Sequence, residues 1–546
     1  MHPGTNYKRL MLLVFVFFCL INIASSGGHF DWWDGNEAFF VTESMVLKHT
    51  SKLDPSVPSV EKLHFDIRYS IYSNLVIQGA KNLDKNTLPL VPVYTVRSLL
   101  LSAIAVPFYY AALIFSVSPI AVIGIFFNSL LISLTAVLVF CLSLDVFRSK
   151  KIAFILSLIF GVCSFVWPYN TSFWTQPLQA LTLIASAFFI FESLHYSSSF
   201  ICHYTRPDKN KGVYFAGLGG LFLGLSVFAH PTSIVFVPGF IAYCAFSMRR
   251  TAIRNLVSFT VILGITLFFM GVVNYLRFGS FTEFGYGYFA SLATHDGWKG
   301  LIGLLISPGA GLLFYFPIAI LLPLGTWYMY KEHKALFLLS VYIIILNWLD
   351  VGTLSFGFEP FAWSGAIAWG PRYLIPVLPF MIIIIGNIFT HLKKRLSLKI
   401  SIVVLCAAGF VINLAGVLVW YQYGIIYGWE KEQLAKYPNN MDIMTWNPSY
   451  SPIILHMKSL ASDHVSTIHP EKYLNTFWYW TAYGLAPCSY DSYIFCKFGI
   501  IPILLIAAAI AAVAIMILRE AGALTPYSII HRLNFRKILR SVDVRS

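Results

Sequence analysis

Three carboxylates stand close together in residues 31–40, DWWDGNEAFF, of a chain that otherwise carries few charges. They are Asp31, Asp34 and Glu37, and they follow directly after the first hydrophobic segment. A carboxylate can take the proton from an attacking hydroxyl group and so act as a general base. In a helix, Asp34 and Glu37 would be about one turn apart, where one acid tunes the other or the two share a cation. This stretch is therefore the first candidate for chemistry.

The composition places these acids in a membrane protein. The 546 residues are 58% hydrophobic and 11% charged, whereas a soluble domain is about 25% charged. The net charge of +14 comes from short basic clusters between apolar segments, which is typical of cytoplasmic loops. The Lys and Arg residues form no run interleaved with aromatic residues, so we expect the lipid bilayer as a partner and no nucleic acid. We predict an all-α polytopic membrane fold.

Apolar stretches of about 20 residues predict about twelve transmembrane helices. The predicted spans are residues 10–26, 119–147, 152–168, 174–194, 213–230, 231–248, 255–276, 305–329, 335–349, 372–391, 400–421 and 499–518. With this count every basic cluster between spans, and both termini, are cytoplasmic, as the positive-inside rule requires. The chain is then a multi-pass protein of the cell membrane, with outer loops at 27–92, 277–300, 350–371 and 422–498. The first segment is either a signal peptide or a retained span, because Ala24–Gly27 resembles a cleavage site.

Residues 93–116 are a further apolar segment behind the first outer loop, which we expect to carry interfacial helices. A single crossing there would move every later basic cluster outside, so we expect a re-entrant or interfacial hairpin that crosses zero or two times. Arg97, Pro92 and Pro107 agree with a broken segment at the outer surface.

The chain then divides into three predicted parts. They are a transmembrane core over 1–421, an outer loop or small domain over 422–498, and a last span with a basic cytoplasmic tail over 499–546. Cys488 and Cys496 share the predicted outer loop, where an oxidising environment would allow a disulfide.

Polar residues gather at the outer surface once the sides are assigned. Besides the three acids, the group contains Arg97, His230, Asn274, Arg277 and Arg372. Ionisable groups beside a membrane are costly and are functional candidates by default. Arginine holds phosphate by paired hydrogen bonds, and a phosphate at this surface most naturally belongs to a lipid. With an acid that deprotonates a hydroxyl, these arginines indicate transfer from a lipid-phosphate donor.

The sequence resembles the integral-membrane glycosyltransferases of the GT-C superfamily in five motifs that occur in order. The likeness is to the prokaryotic branch related to protein mannosyltransferases and aminoarabinose transferases. The motifs are Asp34-Gly35 with Thr42-Glu43-Ser44, Tyr69-Ser70-Ile71-Tyr72, Asn274 to Gly279 with Glu283 and Gly285-Tyr286, Ser307 to Gly311 with Tyr315 and Pro317, and Trp363-Ser364-Gly365 with Trp369 to Leu374. The chain departs from the family pattern at His230, where an Arg is common, and at Ala366 and Ile367 before Trp369.

The resemblance implies a reaction and a role for each matching residue. A sugar would pass from a polyprenyl- or dolichyl-phosphate carrier to a glycan, lipid or protein acceptor on the outer face, normally with inversion. Asp34 would be the catalytic base, with Glu37 beside it and Asp31 as the alternative base. The implied donor-phosphate ligands are Arg372, Arg277, Arg97 and His230, and the implied cleft residues are Tyr69, Tyr72, Asn274, Glu283, Tyr286, Trp369 and Tyr373. Some relatives use a divalent cation such as Mg²⁺ or Mn²⁺, so the cofactor stays open.

Other interpretations of the same residues also stay open. Asp34 can be a helix N-cap, and Arg372 can be an anchor whose charge reaches back to the membrane surface. A transporter or flippase for a lipid or glycoconjugate is one alternative function, but it would place polar residues near the middle of the spans. A non-catalytic assembly subunit with the same scaffold is another, and it would bind lipid without turnover.

Overall fold

The computed structural model shows an all-α polytopic membrane protein. The structure describes residues 7–30, 32–54, 56–59, 94–95, 97–195, 211–246, 252–285, 293–294, 298–353, 355–356, 362–365, 368–392, 395–419, 440–461 and 492–522. Within these residues, nine helical segments are long and apolar enough to cross a membrane. They are Tyr7–Ala24, Pro119–Phe147, Thr175–Leu194, Lys211–Ala229, Ile253–Phe278, Lys334–Thr353, Arg372–Thr390, Leu396–Leu418 and Ile500–Glu520.

The regular elements of the described residues are as follows. In chain order, the α-helices are α1 (Tyr7–Ala24), α2 (Trp32–Lys48), α3 (Leu99–Ile114), α4 (Pro119–Phe147), α5 (Lys150–Val162), α6 (Thr175–His195), α7 (Lys211–Ala229), α8 (Val237–Phe246), α9 (Ala252–Phe278), α10 (Trp298–Ile306), α11 (Leu312–Tyr315), α12 (Leu322–Glu332), α13 (Lys334–Thr353), α14 (Leu378–Thr390), α15 (Leu396–Leu418), α16 (Asn440–Trp446), α17 (Pro452–Ala461), α18 (Tyr493–Phe498) and α19 (Ile500–Glu520). Turns of 3-10 helix lie at Trp167–Asn170, Pro231–Phe236, Pro317–Leu321, Ala362–Ser364, Arg372–Val377 and Pro448–Tyr450. Two short strands, β1 (Ala293–Thr294) and β2 (Ser355–Phe356), pair antiparallel.

Four of the predicted spans are divided in the structure, and one of them, 372–391, begins with the 3-10 turn Arg372–Val377 before α14. Residues 305–329 contain the end of α10, then α11, a 3-10 turn and most of α12. Residues 231–248 begin with a 3-10 turn before α8, and residues 152–168 end in irregular turns after α5. Proline lacks the N–H that continues a helix, and Pro231 and Pro317 each begin one of these 3-10 turns. The apolar length of a segment therefore predicts its place in the membrane but not its breaks.

The segment 93–116 contains a single helix in place of the predicted hairpin. Helix α3 includes Pro107 and is followed by a turn that leads directly into α4. At 1.5 Å per residue, α3 is about 24 Å long, which is shorter than a hydrocarbon core of about 30 Å. Pro107 lies on the exposed face of α3, and α3 packs against α2, α4 and α7. Arg97 stands just before this helix.

Helix α1 is an integral part of the bundle. Leu10, Val14 and Phe18 are fully buried, and α1 packs against α4 and α19. The ring of Phe18 lies where a Cβ at Gly161 would be, so α1 and α5 approach closely only because residue 161 is a glycine. This packing favours a retained span over a cleaved signal peptide.

Helix α2 is held in place by a hydrophobic cluster of its own. Phe30 stacks on Phe173 at 5.4 Å between ring centroids, and Phe127 meets Phe173 edge-on at 4.9 Å. Phe39 and Phe40 of α2 are almost completely buried in the same cluster, together with residues of α3 and α4. The cluster buries one face of α2 and thereby sets the direction in which its polar face points.

The described part of the predicted outer region 422–498 packs on the core. The Gly309 amide donates to the Thr445 carbonyl at 3.0 Å. A Cβ at Gly309 would overlap the Met444 carbonyl oxygen, so this contact requires glycine. Further along the chain, the Tyr493 amide donates to the Ser26 carbonyl at 2.8 Å, which attaches α18 to the end of α1.

Candidate active site

Two acids and two arginines form one cluster at the start of α2. Arg97 Nη2 lies 2.6 Å from Asp34 Oδ1, and Arg97 Nε lies 3.3 Å from Glu37 Oε2. On the other side, Arg372 Nη1 lies 3.7 Å from Asp34 Oδ2. The structure thus brings Arg372 next to Asp34, although more than three hundred positions separate the two in the sequence.

The two acids differ in their access to solvent. The Asp34 side chain is 21% exposed, whereas that of Glu37 is 6% exposed. Both lie on one face of α2, about one turn apart, and the first turn of a helix favours negative charge. Asp34 is therefore the more accessible acid, and both acids contact Arg97.

Arg372 is held rigidly before it reaches Asp34. Its guanidinium carbon lies 4.4 Å from the ring centroid of Trp174 and 4.6 Å from that of Tyr373, and its Nη2 donates to the Tyr373 hydroxyl at 2.7 Å. Gly365 has a left-handed backbone (φ +79°), and a Cβ there would lie 2.8 Å from Arg372 Cγ. The glycine of the Trp363-Ser364-Gly365 motif therefore makes room for the arginine, which adopts one position.

Arg97 is held by the residue two positions earlier. The Arg97 amide donates to Thr95 Oγ1 at 3.0 Å, and Thr95 Oγ1 donates to Glu37 Oε2 at 2.8 Å. Ser98 Oγ donates to the Phe228 carbonyl at 2.8 Å, which attaches the same segment to the end of α7. The position of Arg97 is thus set from two sides.

His230 follows Phe228 at the end of α7 and faces the cluster as a neutral group. Its Nδ1 lies 2.8 Å from the Thr232 hydroxyl. Burial lowers the pKa of His230 to about 4, and the charges of Arg97 and Arg372 act in the same direction, while Asp34 opposes them. At neutral pH the imidazole therefore offers a hydrogen bond but no positive charge, unlike the arginine common at this position in the family it resembles.

Three other candidate residues have observed partners at the end of α9. Arg277 donates through Nη2 to the Thr95 carbonyl. Asn274 Nδ2 donates to the Phe281 carbonyl at 3.5 Å, and Glu283 Oε1 accepts from the Gly285 amide at 2.7 Å. The contacts of Asn274 and Glu283 order the turn after α9, so the structure shows a local role for these two residues.

Trp369 is buried away from the acids. Its Nε1 donates to Asn413 Oδ1 at 3.0 Å, and its ring meets Tyr315 edge-on at 5.2 Å and His456 at 4.6 Å. Trp369 has no exposed surface, and its observed role is packing between α11, α15 and α17. Tyr373, by contrast, takes part in the cluster as the partner of Arg372. The candidates Asp31, Tyr69, Tyr72 and Tyr286 lie outside the described residues.

Sequence reasoning missed two residues that build this site, and it gave no role to Glu43, a further acid of α2. Thr95 and Trp174 carry no motif, and their contacts with Glu37 and Arg372 come from distant parts of the chain. Glu43 stands in a quoted motif without a role, and its carboxylate accepts from the Tyr109 hydroxyl at 2.9 Å and from the Ser59 amide at 3.1 Å. Glu43 is the third acid on α2, after Asp34 and Glu37, and this grouping of acids on one helix is the signal that could have revealed it.

The described residues do not themselves build a metal centre. Within the part of the chain that the structure describes, no group of three or more His, Cys, Asp or Glu residues could hold an ion. Asp34 and Glu37 contribute two carboxylates, and Arg97 bridges them. The donor set at this position thus fits a guanidinium, and we derive no step through a metal.

No protein-family model and no curated protein sequence matches this chain. Among solved structures, it is similar to the archaeal oligosaccharyltransferase AglB from Archaeoglobus fulgidus in complex with an inhibitory peptide and a dolichol-phosphate, with 11% identity, 80% of this chain and 59% of that chain covered, and a TM-score of 0.41. It is also similar to ArnT from Cupriavidus metallidurans in the apo state, with 11% identity, 84% and 79% covered, and a TM-score of 0.44. Both are GT-C membrane glycosyltransferases. At these TM-scores the similarity assigns no residue, donor or acceptor to this chain.

Proposed function

We propose that this protein is a membrane glycosyltransferase with Asp34 as its catalytic base. It would take a sugar from a polyprenyl- or dolichyl-phosphate carrier and pass it to a hydroxyl acceptor on the outer face of the membrane. The observation that carries the proposal is a partly exposed carboxylate between two guanidiniums, Arg97 at 2.6 Å and Arg372 at 3.7 Å, in a helical membrane protein.

The Asp34 carboxylate acts as the base that accepts the proton. Asp34 takes the proton of the acceptor hydroxyl as its oxygen attacks the anomeric carbon, and the bond from that carbon to the phosphate oxygen breaks. Attack from the side opposite the phosphate inverts the anomeric centre. A well-placed base contributes about 10² to 10⁴-fold to such a step.

The arginines supply charge on the phosphate side. The leaving polyprenyl phosphate gains negative charge as the bond breaks, and fixed guanidiniums stabilise such charge because they need little reorganisation. The 3.7 Å between Arg372 Nη1 and Asp34 Oδ2 exceeds a charge-assisted hydrogen bond, typically about 2.8 Å, so a substrate oxygen could be bound by Arg372 beside the base. His230, neutral at pH 7, adds a hydrogen-bonding group next to them.

The location of the cluster favours transfer over transport. Asp34 lies in the first turn of α2, Arg372 begins its membrane segment, and Arg97 precedes α3. Transport would require a substrate path through mid-membrane positions. A group-transfer site needs access from one side of the membrane only, and Asp34, Arg97 and Arg372 all lie at or just before the first residues of helical segments.

The test is a turnover assay with purified protein in liposomes. The donor probe is a pool of native lipid-linked sugars, the acceptor probe is native envelope extract, and mass spectrometry follows free polyprenyl phosphate. We expect sugar to leave the lipid with wild type and not with Asp34→Asn. Asp54→Asn is the matched control, because Asp54 is a partly exposed acid that accepts hydrogen bonds from Ser56 in the same predicted outer loop.

The outcomes separate the three interpretations. Full turnover by Asp34→Asn with retained folding would refute Asp34 as the base. Lipid binding without turnover by wild type would favour the assembly-subunit alternative. Movement of intact lipid-linked sugar between leaflets would favour a flippase.

A further inference from the structure

Arg277 is bonded to the backbone of the segment that leads to Arg97. It stands in the last turn of α9 and is 8% exposed. Its Nη2 donates to the Thr95 carbonyl, and its guanidinium carbon lies 4.7 Å from the Phe278 ring and 5.8 Å from the Tyr94 ring. The Tyr94 and Phe278 rings meet edge-on at 6.1 Å. Arg277 thus clamps the Tyr94–Thr95 segment against the end of α9.

Thr95 transmits this attachment to the site. Thr95 is 2% exposed, and its hydroxyl donates to Glu37 Oε2 and accepts from the Arg97 amide. The carbonyl of the same residue is the acceptor for Arg277. One residue therefore joins α9, α2 and the segment that carries Arg97.

We propose that Arg277 is a positioning residue: it fixes Thr95, and through Thr95 it holds Arg97 and Glu37 in the geometry that Asp34 needs. The proposal rests on the proposed function, in which Asp34 is the base. It assigns Arg277 a different task from the phosphate contact that the family resemblance implies. The physical basis is that a buried guanidinium bonded to a main-chain carbonyl fixes the path of the chain, and charged hydrogen bonds are stronger than neutral ones.

The consequence is a specific pattern in kinetics. If Arg277 is removed, Arg97 loses its fixed approach to Asp34 while the donor still meets Arg372. A misplacement of about 1 Å in a catalytic group can cost about 100-fold in rate. We therefore expect kcat to fall by about 10 to 100-fold with little change in KM for the donor.

The first measurement needs no substrate. Hydrogen exchange of the wild-type protein in detergent is compared with Arg277→Gln, Thr95→Val and the control Arg254→Gln, which removes an exposed arginine at the other end of α9. The Arg97 amide, bonded to Thr95 Oγ1, should exchange faster in Arg277→Gln and in Thr95→Val than in the wild type. Its exchange rate should be unchanged in Arg254→Gln. Unchanged exchange in Arg277→Gln would overturn the proposal.

The second measurement separates positioning from phosphate binding. Polyprenyl phosphate is titrated against each variant, and turnover is measured with the lipid-linked sugar pool. Positioning predicts near wild-type affinity, lowered kcat, partial rescue in Arg277→Lys, and non-additive losses in the Arg277→Gln/Thr95→Val double variant. Weakened polyprenyl phosphate binding with unchanged kcat would instead make Arg277 a phosphate ligand and refute positioning.

The two proposals fail in different ways. If Asp34→Asn keeps full turnover, the proposed function fails whatever Arg277 does. If Asp34→Asn is inactive and Arg277→Gln has wild-type exchange and kcat, only the positioning proposal fails.

Discussion

Replacing Arg97 by Met should destabilise the protein chiefly through Glu37. The Glu37 side chain is 6% exposed, and its Oε2 lies 3.3 Å from Arg97 Nε. Methionine keeps much of the length of the arginine side chain but removes its cation. Glu37 then retains the Thr95 hydroxyl and loses the opposite charge that offsets its burial.

The expected size follows from the distance and the exposure. At 3.3 Å and an effective dielectric constant of about 20, two unit charges attract by about 5 kcal/mol. Arg97 is itself 26% exposed, so water screens the pair, and we expect a net loss of about 2 to 3 kcal/mol. In the background Glu37→Gln, the same substitution should cost about 1 to 2 kcal/mol less, because no buried charge remains at residue 37.

The assay is a double-variant cycle on reversible unfolding in mixed micelles of mild detergent and sodium dodecyl sulfate. Tryptophan fluorescence reports unfolding of the wild type, Arg97→Met, Glu37→Gln and the double variant, with Arg254→Met as the exposed control. The reasoning is refuted if Arg97→Met costs the same free energy, within about 0.5 kcal/mol, with and without the Glu37 carboxylate.

Two further predictions concern Gly365 and His230. Gly365→Ala should lower turnover at least 10-fold, because its Cβ would lie 2.8 Å from Arg372 Cγ. Gly279 has a similar φ and open space around it, so Gly279→Ala should show only the backbone cost to stability of about 1 to 2 kcal/mol. Equal turnover in the two variants would contradict this prediction. The pKa of His230 in the folded protein is about 4, below the ordinary value of about 6.5. As pH drops from about 6.5 to 4, the unfolded state therefore takes up the proton first, and the stability of the folded state falls. His230→Gln should lose less stability than wild type between pH 7 and 4.5 in the same unfolding assay, and parallel losses would show that another group titrates.

Much of the fold was predictable because bilayer burial imposes a strong composition on each span. The apolar runs and the basic clusters between them predicted an all-α polytopic protein, and the nine long apolar helical segments of the described residues overlap those runs. The breaks did not follow from the same signal. Residues 305–329 are apolar throughout, yet the chain there changes direction at Pro317, and residues 99–114 form one helix despite Pro107.

The candidate site was predictable in its acids and less so in their partners. Asp34 and Glu37 share one helix, so their spacing along the chain already places them on one face. Arg97 and Arg372 were candidates for a phosphate, and the structure places both beside Asp34 as well. Trp369 was expected in the cleft and is instead buried with Asn413, since a tryptophan in a motif carries no sign of which way it faces.

The sequence by itself determined which reactive groups this protein has, and it predicted that they stand near the ends of apolar segments. Those facts depend on local composition, which a bilayer selects residue by residue. Only the tertiary structure decided that Thr95 connects Arg277 to Glu37 and that Trp174 holds Arg372. These contacts join separate segments of the chain, and buried aromatic and glycine packing, such as Phe30 on Phe173, sets how closely the segments approach. The periodicity of the local sequence does not predict this packing.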